Sequence, residues 1–238
     1  MNLLITISTC LIILSCESSI TNYNTDNDNT GFSISENSFN FGFTPQYSTI
    51  SHRFWIYPPG EDSLVIYKIT PSCGCIKYIL EKDIIQAGDS TLLEIIFETK
   101  TYRGNISKWV KVFYDPYSSI RIDVQSYVYR PLDTTLALSI IPYKLDFSQF
   151  RQNIVDRNRL LILNNSDKNQ YMSIIDYPTE IEYPDISERI KPNDSIYYEI
   201  ILNDIGIGGE FEKSMTIQLF SLENIRFTIP IKRTIRIP

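Results

Sequence analysis

The chain repeats one pattern of turns and short β-strands after about 105 residues. Residues 85–97 read IQAGDSTLLEIIF, and residues 190–202 read IKPNDSIYYEIIL, so a Gly or Asn turn precedes a strand both times. A separation this long exceeds the 20–50 residues of a solenoid repeat, which favours a duplicated domain. We therefore expect two domains, 32–131 and 136–238, with Pro131 stiffening the short join between them.

Within each copy the apolar residues alternate with polar ones. Phe227, Ile229 and Ile231 share one side of residues 226–232, and residues 121–128 show the same period of two, which is typical of half-buried strands. Alanine, the best helix former, occurs only twice, whereas Ile, Tyr, Phe and Thr are abundant. These observations predict an all-β protein.

About seven short strands per 100 residues, with connections too long for a simple meander, predict two tandem immunoglobulin-like β-sandwiches. Closed barrels are the alternative. We expect Trp55 and Trp109 to pack in the cores between sheets rather than to form a binding stripe. The glycine-rich residues 206–209 lack the following Lys-Ser/Thr of a phosphate loop, so a glycine turn between strands is expected there.

The N-terminus carries the pattern of an export signal. An apolar run ends at Cys16, is too short to span a bilayer, and precedes a polar stretch that predicts a flexible tether over residues 16–31. The sequence Ile13-Leu14-Ser15-Cys16 resembles the lipobox of bacterial lipoproteins. This resemblance implies cleavage after residue 15, acylation of Cys16, for example with palmitate, and anchoring in the envelope, facing the periplasm or the cell surface. The alternatives are an ordinary cleaved signal peptide and a short hydrophobic anchor.

Charge and residue content disfavour several function classes. The net charge is −6 and no basic run occurs, so nucleic acid would be repelled. A catalytic Ser-His-Asp triad would need His52, the only histidine, and the sequence contains no Gly-x-Ser-x-Gly turn. We therefore expect no enzymatic activity and no cofactor.

The first copy resembles a known bacterial envelope family. It contains Asn40-Phe41-Gly42, Cys73-Gly74-Cys75, a Gly88-Asp89 turn and Gly104. This set, over about residues 33–130, is similar to domain of unknown function 1573, an immunoglobulin-like family related to major-sperm-protein and ASH domains. The resemblance implies an exported, often lipid-anchored protein without an established activity. The second copy has no cysteines in the equivalent residues 175–180.

Cys73, Gly74 and Cys75 are the candidate chemical site. Residues two apart on a strand have Cα atoms about 6.5–7 Å apart, the outer limit for a disulfide, and Gly74 can relax the backbone into a turn. The two cysteines fit a structural pair, a soft-metal site for Cu(I), or a redox dithiol. The structural interpretation is favoured because supporting metal ligands are missing nearby.

Together these observations predict a membrane-anchored exported lipoprotein that acts as a non-enzymatic protein-binding or scaffolding module of the cell envelope. Its partner would be another envelope protein. The alternative is a thiol-based copper-binding or redox protein that acts through Cys73 and Cys75.

Overall fold

A computed structural model describes residues 32–114, 118–131, 136–220 and 225–236. The predicted signal peptide, Cys16 and the tether lie outside the described residues. Within those ranges, no helix has both the length and the apolar character needed to cross a membrane.

The described residues form short strands and a single helical turn. In chain order the elements are β1 (Ser33–Ile34), β2 (Ser38–Pro45), β3 (Thr49–Tyr57), β4 (Leu64–Val65), β5 (Lys68–Pro71), β6 (Ile76–Leu80), β7 (Ile84–Ile85), β8 (Thr91–Glu98), β9 (Gly104–Phe113), β10 (Ser119–Tyr129), β11 (Leu138–Ile141), β12 (Leu145–Asp146), β13 (Gln149–Phe150), β14 (Arg157–Asn164), β15 (Gln170–Asp176), β16 (Arg189–Ile190), β17 (Ser195–Ile201), α1 (Asp204–Gly208), β18 (Phe211–Leu219), β19 (Arg226–Arg233) and β20 (Ile235–Arg236). The prediction of an all-β fold is confirmed.

The first half, residues 32–131, packs two open sheets around one core. One sheet has the order β1-β3-β8-β6, and the facing layer contains β2, β10, β9 and β5. Apolar side chains of β3 and β8 meet those of β9 and β10 in this core, for example Phe54, Leu93, Val112 and Ile122. The alternating pattern predicted this packing, because residues two apart on a strand project to the same face. The architecture is a sandwich rather than a closed barrel.

The second half, residues 136–236, repeats the pairing scheme. The pairs β1–β3 and β3–β8 correspond to β11–β14 and β14–β17, and the hairpin β9–β10 corresponds to β18–β19. A second core, which includes Leu160, Ile162, Ile217 and Phe227, is separate from the first. Each half therefore closes its own hydrophobic core with the same strand connections.

One sheet nevertheless runs through both halves. β2 pairs in parallel with β10 of its own half and, at Phe43 and Phe227, with β19 of the other half. The result is a nine-stranded sheet with the main order β16-β15-β18-β19-β2-β10-β9-β5. The division into two tandem domains stays a prediction, because this sheet joins the halves edge to edge.

Polar contacts also connect the halves. The His52 ring lies between Asp176 Oδ2 at 2.6 Å from Nδ1 and Glu36 Oε1 at 2.8 Å from Nε2. It also stacks on Phe39 with ring centroids 3.6 Å apart. Lys213 bridges Glu94 of the first half and Glu180 of the second. His52, which entered the sequence analysis only as the histidine that a catalytic triad would need, therefore belongs to the junction.

Three local expectations are wrong or incomplete. Trp55 is 43% exposed, because it alternates with the buried Phe54 and Ile56 on β3 and therefore points outward. Trp109 is only half-buried, with the Arg121 guanidinium 5.5 Å from its ring centroid.

Residues 206–209 were expected to form a glycine turn, but residues 206–208 belong to the short helix α1. The Asn203 side chain caps it by accepting a hydrogen bond from the Gly206 N–H at 3.1 Å. A Cβ on Gly206 would come within 2.1 Å of the Glu180 carbonyl oxygen, so this glycine permits a close backbone approach.

Candidate functional site

The cysteine motif forms a turn between β5 and β6. The backbone bends over residues 72–75, which brings the Cα atoms of Cys73 and Cys75 to 5.2 Å, and the two residues are joined by a disulfide. The turn is closed by a hydrogen bond from the Ile76 N–H to the Cys73 carbonyl at 3.2 Å. Bending at Gly74 thus shortens the distance that an extended strand would impose.

The surroundings of the two sulfurs differ. Cys75 is 4% exposed and belongs to the first core, whereas Cys73 is only partly buried at its margin. The Tyr102 hydroxyl donates to Cys75 Sγ at 3.6 Å, and Lys108 Nζ lies 5.0 Å from the centroid of the Tyr102 ring. Lys77, which follows the motif, is instead paired with Glu98 at 2.5 Å.

The bonded state bears on the three interpretations of the motif. A soft metal needs the two sulfurs as thiolates, whereas here they are bonded to each other. In the part of the chain that the structure describes, no group of three or more His, Cys, Asp or Glu side chains is placed to hold a metal ion. The arrangement can serve as a covalent staple of the turn or as a reducible bond.

Strand β6, which begins directly after Cys75, covers the edge of β8. In an antiparallel pair of strands, every second pair of opposite residues is hydrogen-bonded. At the two ends of β6, the Glu98 N–H donates to the Cys75 carbonyl and the Glu81 N–H donates to the Leu92 carbonyl. Ile79, which lies opposite Glu94, therefore belongs to a hydrogen-bonded pair between these ends. The Ile79 N–H points at β8.

In the second half, the segment that corresponds to β6 pairs with its neighbour only at its start. The bridge between Ile181 and Leu202 lies 105 residues after the pair of Ile76 and Phe97. Glu182 N–H still donates to the Ile201 carbonyl at 2.9 Å. Pro184 then stands in the position of Ile79. Because proline has no N–H to donate, it cannot continue the ladder.

Strand β17 consequently has one open edge. In the described residues it pairs with β14 alone between Ser195 and Glu199. The Asn164 N–H donates to the Asp194 carbonyl, so the backbone of Asp194 faces β14. Because the backbone groups of successive residues in a strand face opposite neighbours, the N–H and C=O of Tyr197 and Glu199 point away from β14. The Tyr197 side chain is 68% exposed.

The inner face of β17 is also less covered than its counterpart. Thr91 and Leu93 of β8 are fully buried, whereas Ile196 and Tyr198, which lie 105 residues later on β17, remain partly exposed. The Tyr198 hydroxyl oxygen is buried, yet it has no hydrogen-bond partner among the described residues. Burial, with smaller contributions from Glu188 and Asp185, raises the pKa of Tyr198 to about 12.

Sequence reasoning singled out the cysteines but missed Tyr102, Pro184 and Tyr197. The 105-residue repeat contained the signal for Pro184, since it aligns that proline with Ile79. Which backbone groups of a strand face a neighbour depends on the register, however, and the register came only from the pairing of β14 and β17.

The family whose description reads "Protein of unknown function (DUF1573)" matches residues 32–128. This segment is a DUF1573 domain. The match covers the half with the Cys-Gly-Cys turn and confirms the family predicted from it. No curated protein matches the chain in sequence.

Several solved structures are similar over long stretches. A protein of unknown function from Porphyromonas gingivalis is 14% identical with a TM-score of 0.32, over 85% of this chain and 99% of that one. The ASH/PapD-like domain 7 of human CEP192 is 10% identical with a TM-score of 0.35, over 48% and 97%. The E. coli chaperone DraB is 12% identical with a TM-score of 0.30, over 84% and 96%.

Proposed function

We propose that the protein is a non-enzymatic binding module of the bacterial envelope that accepts an extended segment of a partner protein at the open edge of β17. The observation that carries this proposal is Pro184. This proline ends the pairing with β17 at the position where Ile79 of β6 continues the pairing with β8 in the first half. The partner strand would take the place that β6 occupies beside β8.

The chemistry of the edge describes the partner segment. Tyr197 and Glu199 offer backbone donors and acceptors to an incoming strand, which is how sheet edges recruit peptides. Apolar residues at alternate positions would cover Ile196 and Tyr198, which are partly exposed. Asp185 and Glu188 bring negative charge near Tyr198, so basic residues flanking the apolar ones would be favoured. A segment of about five residues, the length of β6, fits the opening.

The predicted lipid anchor would keep this edge close to membrane-bound partners. Acylation at Cys16 and the tether over residues 16–31 are part of the same proposal. Two or more acyl chains give stable anchoring. A Cys16→Ser variant should leave the membrane fraction, and unchanged membrane partition would remove the anchor from the proposal while leaving the edge untouched.

The edge is tested by closing it. A photoreactive residue replacing Tyr197 should form a covalent adduct with a partner in membranes of the source bacterium. Pro184→Ile restores an N–H beside Glu199 and should abolish the adduct by extending the internal ladder. Hydrogen exchange should show the Glu199 amide newly protected in this variant. Tyr183→Ile changes the neighbouring side chain, leaves the proline in place and should retain the adduct.

A second variant blocks the edge without closing it. Tyr197→Pro removes an N–H that faces away from β14, so the β14–β17 ladder stays intact. With the photoreactive group moved to Glu199, this variant should lose the adduct, whereas Tyr197→Ala should keep most of it. Strand addition at β17 would be refuted if the adduct persisted in both variants, Tyr197→Pro and Pro184→Ile, provided that hydrogen exchange shows the edge of Pro184→Ile to be protected.

A further inference from the structure

The Cys73–Cys75 disulfide differs from a buried staple in one respect, because its two sulfurs face different surroundings. Cys75 lies in the first core and Cys73 lies at its margin. A disulfide is exchanged when a thiolate attacks one of the two sulfurs, so access decides which sulfur is attacked. The partly buried Cys73 is the accessible end, and Cys75 is the end that would leave.

The residue between them keeps the approach open. Apart from its chain neighbours Cys73 and Cys75, a Cβ added to Gly74 would have no heavy atom within 4 Å, and the φ angle of Gly74 lies outside the left-handed region. Neither close packing nor backbone conformation therefore requires glycine here. Its missing side chain leaves a solvent path beside the disulfide.

The leaving sulfur has a stabilising neighbour. The Tyr102 hydroxyl donates a hydrogen bond to Cys75 Sγ. Such a bond favours a thiolate over a thiol, and a more stable thiolate leaves faster. Cys73 Sγ also accepts a hydrogen bond, from the Cys75 N–H at 3.3 Å, so the direction of attack rests on access. The carboxylate of Glu98, whose backbone N–H bonds to the Cys75 carbonyl, is itself paired with Lys77 and Lys100 and so adds little repulsion.

From these three observations we infer that the Cys73–Cys75 disulfide is a thiol-exchange site that oxidises cysteine pairs of exported proteins. The thiolate of a substrate dithiol attacks Cys73 Sγ, the bond between the two sulfurs breaks, and its electron pair goes to Cys75 Sγ beside Tyr102. The second substrate thiolate then attacks the substrate sulfur of the mixed disulfide and releases Cys73. The substrate gains a disulfide, while Cys73 and Cys75 take up two electrons and two protons. This site is independent of the β17 edge.

The inference is tested on the full-length protein with dithiothreitol as the dithiol. Acid quenching, alkylation and peptide mass spectrometry measure reduction of the Cys73–Cys75 peptide below the unfolding temperature. Gly74→Leu should slow reduction about tenfold by blocking access to Cys73, and Tyr102→Phe should slow it about threefold. The unfolding temperature of each variant is measured as well, because a variant that only loses stability should be reduced faster rather than slower.

Single-cysteine variants test the direction of attack. With oxidised glutathione, Cys75→Ser should form a mixed disulfide at Cys73 about tenfold faster than Cys73→Ser forms one at Cys75. Equal rates in the two variants would overturn the assigned direction. A wild-type disulfide that resists dithiothreitol until the protein unfolds would overturn the exchange site and leave a structural staple.

Discussion

The corresponding strands β8 and β17 differ between the two halves, because one edge of β8 is covered and the same edge of β17 is open. In the first half, the disulfide turn leads into β6, which covers β8 along its length. In the second half, the chain starts to pair at Ile181 and stops at Pro184, so β17 keeps an open edge. Proteins usually protect sheet edges because unpaired backbone groups attract other strands. The first half thus closes this edge, whereas the second half leaves it open, which is the basis of the strand addition proposed above.

The two halves also differ in their cysteine chemistry. Pro178 and Glu180 occupy the positions 105 residues after Cys73 and Cys75, so the disulfide turn exists once. The first half combines a covered edge with a disulfide, and the second combines an open edge with no cysteine in residues 136–236. The two proposed activities can therefore be removed independently.

The largest effect is expected from opening the covered edge. Ile79→Pro removes an N–H that points at β8 and should uncouple β6, which lowers the free energy of unfolding by about 3 kcal/mol. Chemical denaturation measures the loss. Tyr78→Pro is the matched control, because the Tyr78 N–H faces away from β8, and it should cost about 1 kcal/mol or less. Equal losses would show that the ladder register does not govern this edge.

A smaller effect is expected at the junction between the halves. Burial lowers the pKa of His52, but hydrogen bonds to Asp176 and Glu36 outweigh it and raise the pKa above its ordinary value of 6.5. The charged ring therefore stabilises the fold fully below about pH 6.5, and this stabilisation is lost as the pH rises through the raised pKa.

His52→Phe keeps a ring against Phe39 but leaves both carboxylates without their donor. It should cost about 2 kcal/mol at pH 6 and remove this part of the pH dependence. Unfolding temperatures measured from about pH 5 to pH 9 check both effects. The same alkaline loss of stability in wild type and variant would assign the pH dependence to another group.

The smallest effect concerns the hydroxyl of Tyr198. Because it is buried without a partner, Tyr198→Phe should leave the free protein unchanged or stabilise it by up to about 1 kcal/mol. Tyr102→Phe, which removes a hydroxyl that has a partner, should instead destabilise by about 0.5–1 kcal/mol. Thermal unfolding of the two variants compares them directly, and a loss of more than 1 kcal/mol in Tyr198→Phe would indicate that this hydroxyl has a partner after all.

Much of the fold could be predicted from the sequence, because it depends on local patterns. The alternation over residues 121–128 predicted a strand with one buried face, and the structure confirms it by burying Ile122, Val124 and Val128 of β10. The same rule places Thr228 on the side of β19 opposite Phe227, Ile229 and Ile231, yet Thr228 is also buried and its hydroxyl donates to the Phe41 carbonyl at 2.6 Å. That face is covered by the first half, which a period of two along one strand cannot indicate.

The sequence by itself determined the strands, the repeat, the family of the first half and the two cysteines. Each follows from side-chain type and spacing, which act over a few residues or recur along the chain. Tertiary structure decided that β2 joins both halves in one sheet, that Tyr102 lies against Cys75, and that Pro184 opens β17. These features depend on which strands become neighbours and in which register, and that choice is made by packing between residues far apart in the chain.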